Sequence, residues 1–142
     1  MANVMDVHSE ITRSRKLERS RSVSKGLGRV ESSPYRQVYV PKLSDAEWMH
    51  TLGFLPGRVG ARARNGGDAR NFLDSVLWVA QTRALWSDLP QEFGPPHRMY
   101  VRFIRWSVDG TWFFVLSSFS PRDERHVRLF ELVEGYLSRK RR

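Results

Sequence analysis

The chain has no cysteine. Disulfides, zinc–thiolate sites and cysteine nucleophiles are therefore excluded outright. It has no apolar run approaching the roughly 20 residues needed to span a bilayer. Its start lacks the apolar stretch of a secretory signal, so the expected location is the cytoplasm. Histidine is scarce and scattered as His8, His50, His97 and His126, with no two at zinc-ligand spacing. No serine sits in a G-x-S-x-G elbow. The carboxylates are dispersed, and each is best read as a cap or a surface charge; Asp109 before Gly110 is a turn residue. Gly26-Leu27-Gly28 is a lone G-x-G with no strand before it and no third glycine. These absences leave no expected catalytic residue, no metal ligand set and no cofactor.

What is present is basic charge. The 142 residues carry a formal net charge of +9, enough length for one domain and not two. Residues 1–41 hold eight basic and four acidic side chains, residues 42–110 nine and seven, and residues 111–142 seven and four. The surplus sits mostly in the ends. Such a protein is drawn to polyanions without being specific for them. Nucleic acid is the first candidate and an anionic membrane surface the second.

Residues 1–41 read as a disordered basic arm. Thr12-Arg13-Ser14-Arg15-Lys16 and Arg19-Ser20-Arg21-Ser22 contain almost nothing that could offset the entropy of ordering. The arm either adds sequence-independent DNA affinity or is read-through from an upstream start codon. Residues 35–40 form a candidate extended segment, cut off by Pro41.

The folded region opens at Leu43-Ser44-Asp45-Ala46-Glu47-Trp48. Ser44 caps a helix and Glu47, three residues on, reaches back in a capping box. Leu52 and Leu55 continue its apolar side, and Pro56-Gly57 is expected to end it. Residues 57–67 read as a flexible loop carrying Arg58, Arg62 and Arg64 among glycines. Such a loop either tracks a phosphate backbone or minor groove or is a solvated linker. Asp68–Thr82 is the clearest helix, with Phe72, Leu73, Val76, Val79 and Ala80 in a broad stripe. Trp78 lies off the stripe's centre and needs another neighbour to cover it. Ser87-Asp88-Leu89-Pro90 is expected to start a short helix, and residues 91–96 a turn.

Pro96-His97-Arg98-Met99-Tyr100-Val101-Arg102-Phe103-Ile104-Arg105-Trp106 is the organising stretch. At 3.6 residues per turn Met99, Phe103 and Trp106 share a face that Tyr100 and Ile104 widen. Arg98, Arg102 and Arg105 fall together on the opposite face. Proline suits the entrance and Asp109-Gly110 marks the exit. A cationic fork on a small helix suits phosphates and guanine edges; it is also what an ordinary solvated helix face looks like. His97, at the helix start, is a candidate for a phosphate or base contact. Short helix, turn and cationic helix together outline a helix-turn-helix. Residues 111–119 are densely apolar and read as either a core helix or a buried strand. After Pro121 a last helix is expected, with Val127, Phe130, Val133 or Glu134, and Leu137 on its apolar face. Arg139-Lys140-Arg141-Arg142 reads as a basic tail. The expected fold is all-α: a small domain of about five helices over 42–138 with a helix-turn-helix-like core, a disordered basic arm at 1–41 and a tail at 139–142.

The order Leu43-Ser44-Asp45-x-Glu47-Trp48, Leu77-Trp78-Val79, Trp86-x-Asp88-Leu89-Pro90, Phe93-Gly94-Pro95, Tyr100-x-Arg102-Phe103-x-Arg105-Trp106, Asp109-Gly110-x-Trp112 resembles the N-terminal domain of insertion-element transposases of the insertion-sequence-five family. The resemblance covers roughly residues 42–116. It implies an all-helical DNA-binding module that precedes a ribonuclease-H-like catalytic domain in the family. It places Arg98, Arg102 and Arg105 on the helix that reads terminal inverted repeats, and Arg58, Arg62 and Arg64 in the family's basic loop. Here Pro96 replaces a usual tryptophan, Ile104 a frequent arginine, Arg83 a glycine after the helix, and Ala61 a loop proline. The family's first catalytic aspartate has no counterpart in Phe119-Ser120-Pro121-Arg122-Asp123-Glu124, so no catalytic residue carries over. The expectation is a transposase fragment that binds double-stranded DNA at transposon ends without catalysis of its own. The alternatives are a module that associates with full-length transposase, a partner of a separately encoded catalytic chain, or a non-functional truncated remnant.

Overall fold

The computed structural model describes residues 38–65 and 68–141, and all the regular structure among them is helical. The basic arm expected at 1–41 lies almost wholly outside the described residues. Among the described residues six α-helices follow one another: α1 Asp45–Leu52, α2 Gly57–Asn65, α3 Asp68–Thr82, α4 Pro96–Val108, α5 Thr111–Ser117 and α6 Glu124–Lys140.

The capping box at α1 is formed as expected. Ser44 Oγ accepts from the Glu47 N–H at 3.1 Å, and Glu47 Oε1 accepts from the Ser44 N–H at 2.9 Å. This satisfies two donors that a helix start otherwise leaves bare. Trp48, Thr51 and Leu52 turn inward. The helix stops at Gly53, before Pro56 is reached.

The expected loop at 57–67 is instead largely helical, as α2. Ala63 is buried and Val59 packs against the core, four residues apart on one side. Gly60 makes this seat possible: a Cβ there would lie 2.6 Å from the Leu55 carbonyl oxygen. The glycine content that reads as flexibility serves close approach of the backbones.

α3 occupies the bounds expected and is the central post. Phe72, Leu73, Val76, Leu77, Trp78, Val79 and Ala80 are all buried, so it is covered nearly all round. α2, α4 and α6 pack on it. Each large apolar side chain buried this fully contributes about 1.5–3 kcal/mol. Trp78 finds its cover in residues before α1, donating its indole N–H to the Val38 carbonyl oxygen at 3.2 Å. α3 ends at Arg83, whose φ of 61° is left-handed.

The segment expected to form a short helix from Ser87 is two 3-10 turns, Trp86–Asp88 and Gln91–Phe93. Asp88, not Ser87, does the capping: its Oδ2 accepts from the Leu85 N–H at 3.1 Å. Pro90 lacks the N–H that an α-helix would direct to the Trp86 carbonyl, which explains why the first turn does not propagate.

Residues 111–119, open to helix or strand from sequence, are mainly α5, with Trp112 and Val115 buried. Asp109 Oδ1 accepts from both the N–H and hydroxyl of Thr111, at 2.9 and 2.6 Å, fixing the turn between α4 and α5. In α6 the buried positions are Leu129, Val133 and Tyr136, while Val127 and Phe130 are exposed. Both sets have helical spacing; packing on α3 selects the first. Of the expected basic tail, Arg139 and Lys140 belong to the last turn of α6, and Arg141 Nη2 pairs with Glu134 Oε1 at 3.3 Å.

Candidate nucleic-acid interface

α4 is set between an aromatic core and the outside. Met99, Tyr100, Phe103, Ile104, Trp106 and Ser107 are buried. Phe103 and Trp106 sit in a cluster with Trp86, Phe72 and Trp112, at ring separations of 5.0 to 5.8 Å. These rings fix the rotation of the helix about its axis, and hence the direction of the opposite face.

Arg98 and Arg105 on that face are exposed. Arg102 is not. It is half-buried, with its guanidinium 4.7 Å from the Phe72 ring centroid and 5.6 Å from that of Trp106. Desolvation holds its pKa below the ordinary arginine value; Asp68 in the first turn of α3 opposes that shift, and the like charge of Arg105 adds to it. His97 is half-buried in the first turn and steps about 100° around the helix from Arg98.

Arg58, Arg62 and Arg64 on α2 are all exposed. Arg58 and Arg62 are four apart and share a face. The Arg64 guanidinium lies back towards Gly60. Only three residues separate Arg64 from Asp68, so these Cα atoms lie within about 14 Å. The end of α2 thus lies near the start of α3, whose Asp68 acts on Arg102.

Most of the other described basic side chains are ion-paired. Arg70 pairs with Asp45 at 2.7 Å, and Arg125 with Glu47 at 2.7 Å and Asp123 at 2.8 Å. Arg128 pairs with Glu124 and Glu131, Arg83 with Glu131, and Lys42 with Glu92. Among the described residues none of Arg58, Arg62, Arg64, Arg98, Arg102 and Arg105 has a carboxylate partner. Apart from Asp68, which lies near Arg102 without an ion pair, the described acids engage other groups.

Phe72 and Asp68 are the neighbours that the sequence reading missed. Both lie in α3, and no local pattern ties them to Arg102. Among the described residues no three His, Asp or Glu side chains group closely enough to hold a metal ion. No described helix is long and apolar enough to cross a membrane.

The described domain is thus all-helical, with arginines on α2 and α4 that have no carboxylate partner among the described residues. The chain belongs to the family described as "Putative transposase of IS4/5 family", whose model matches residues 43–116, and its role is transposase-related. It is similar to the uncharacterized protein y4sN of Sinorhizobium fredii (strain NBRC 101917 / NGR234), at 36% identity over 66 residues. That match covers 45% of this chain and 51% of the relative, so the chain spans about half the length of the curated relative it matches. No solved structure matches it.

Proposed function

We propose that this domain binds double-stranded DNA at the terminal inverted repeats of an insertion element, serving the recognition step of transposition and not the cutting and joining. The observation that carries this is the set of arginines on α2 and α4 that have no carboxylate partner among the described residues, while most of the other described basic side chains are ion-paired. In this reading Arg58, Arg62 and Arg64, with His97, Arg98 and Arg105, meet phosphates and set the register of the domain on the duplex. The rigid α4 face supplies base readout. Catalysis would come from a ribonuclease-H-like domain, on full-length transposase or a separately encoded chain. The site of action is the bacterial cytoplasm, at the nucleoid.

A titration of the protein on two duplexes at two salt concentrations tests this. One duplex carries the repeats flanking its own gene and the other the same bases scrambled. Tenfold or tighter preference for the repeat, surviving moderate salt, is the expected result. Equal binding that fades steeply with salt is only a polycation's affinity and sinks the proposal.

A second reading has its own observation. Phe113 and Phe114 on α5 are about half-exposed, as are Val127 and Phe130 on α6. Such side chains suit a protein partner, in particular full-length transposase. Light scattering of the chain mixed with transposase distinguishes the two; no mass above that of the separate proteins removes it.

A further inference from the structure

The three arginines of α4 are not equivalent, and the difference lies in what covers them. Arg98 and Arg105 project freely. Arg102 lies over the rings of Phe72 and Trp106, at 4.7 and 5.6 Å, half-withdrawn from water. Yet among the described residues no acceptor hydrogen-bonds to its guanidinium and no carboxylate pairs with it. A partly desolvated cation normally acquires such partners. Here the aromatic platform replaces them on one face, and the N–H groups around the guanidinium edge remain to be used.

We propose that Arg102 is the specificity-determining residue of α4, reading the O6/N7 edge of a guanine, and that Phe72 of α3 is its positioning residue. This rests on the DNA-binding reading above. Three physical points lead to a base edge and away from a phosphate. A guanidinium lying along a ring presents its donors as a planar fork, and a guanine offers two acceptors in one plane. The side chain is already ordered, so binding does not have to freeze it, and that favours a contact whose geometry matters. A phosphate contact needs none of this, and the exposed Arg98 and Arg105 already provide it. Asp68, at the start of α3, supports the charge without forming an ion pair.

The experiment measures binding of the full chain and its variants to the repeat duplex. A panel in which each G·C pair is replaced by A·T in turn, and a salt titration, accompany it. Wild type should discriminate against loss of one G·C pair by about 5- to 150-fold. Arg102→Lys keeps the charge but not the planar fork, and should lose that discrimination with the salt slope unchanged. Arg98→Ala and Arg105→Ala should weaken binding to every duplex alike and lower the salt slope by about one each. Phe72→Leu, checked for folding by circular dichroism, should blunt discrimination at the same pair and no other. If it does not fold, Arg102→Lys carries the test alone. Arg102→Lys discriminating like wild type overturns the proposal. So does Arg102→Ala weakening all duplexes equally, which makes it a phosphate contact and leaves DNA binding standing. Wild type with no preference for the repeat over scrambled DNA removes the underlying reading as well.

Discussion

Trp112 donates its indole N–H to the carbonyl oxygen of Phe103 at 3.0 Å, across the turn that joins α4 to α5. The bond is buried, and the Trp112 indole also lies 5.1 Å from the ring of Trp106. One side chain thus locks the cationic helix to its successor. Trp112→Phe keeps an aromatic ring but removes the donor and part of the volume. It should cost about 1–3 kcal/mol in urea unfolding. The cation-contacting ring of Trp106 should also become more mobile, read as a loss of near-ultraviolet circular dichroism.

Arg83 is the described non-glycine residue with a left-handed backbone, at φ 61°. The helix-ending position it occupies favours glycine, because a side chain there crowds the following carbonyl. Arg83 does contribute an ion pair with Glu131, but at 3.5 Å and largely exposed this is worth little. Arg83→Gly should therefore stabilise the domain by about 0.5–1 kcal/mol. A chemical denaturation curve with an unchanged slope and a higher midpoint is the expected result; a lower midpoint would mean that the ion pair outweighs the strain.

Arg125 ties the start of α6 to the start of α1 through Glu47 and also holds Asp123, with its guanidinium 5.0 Å from the Phe119 ring centroid. Hydrogen bonding from Arg125 first, then the backbone bond from Ser44, holds the Glu47 carboxyl below its ordinary value. The Arg125 side chain does the same for Asp123. A depressed folded pKa contributes stability above the unfolded values, near 4.5 and 3.8, that is lost as pH falls through the folded ones. Arg125→Met should be less stable than wild type by about 1–2 kcal/mol at neutral pH, discounted for partial exposure. The gap should narrow below about pH 4. Melts across that range check the sign.

Asp74 behaves in the opposite sense. It is buried in α3 and accepts from the Leu43 N–H at 2.9 Å, and burial pushes its pKa up despite that bond. As pH rises from its unfolded value of 3.8, the unfolded chain ionises first, so stability falls and stays lower above the folded pKa. Asp74→Asn retains an acceptor and escapes that penalty. It should be at least as stable as wild type at neutral pH and lose any advantage in acid. Asp74→Ala strands the Leu43 N–H and should cost about 1–3 kcal/mol at neutral pH.

What could be read without coordinates was local and periodic. The Ser44–Glu47 box, the bounds of α3 and the two faces of α4 each follow from spacing within one turn or one stripe. What could not be read depends on neighbours distant in sequence. Arginine and glycine composition argued for a loop at 57–67, but the seat under Val59 and Ala63 and the contact at Leu55 decide for a helix. Val127 and Phe130 were as good a helical stripe as Leu129, Val133 and Tyr136 until α3 chose. The arginine stripe of the candidate site was legible. That Arg102 lies on a ring from α3, partly out of water, was not, because no pattern within α4 encodes what packs beside it.

The packing of α6 has a consequence for how far the inherited segment can stand alone. The family match ends at residue 116, before α6 begins. Yet Leu129, Val133 and Tyr136 close the core, the Tyr136 ring lies 6.1 Å from that of Phe103, and Arg125 fastens the first helix. The stretch that matches the family and the stretch that packs as one core are thus different units. In this chain the shared part leans on a helix from outside it, so relatives can diverge there only if something else supplies that wall.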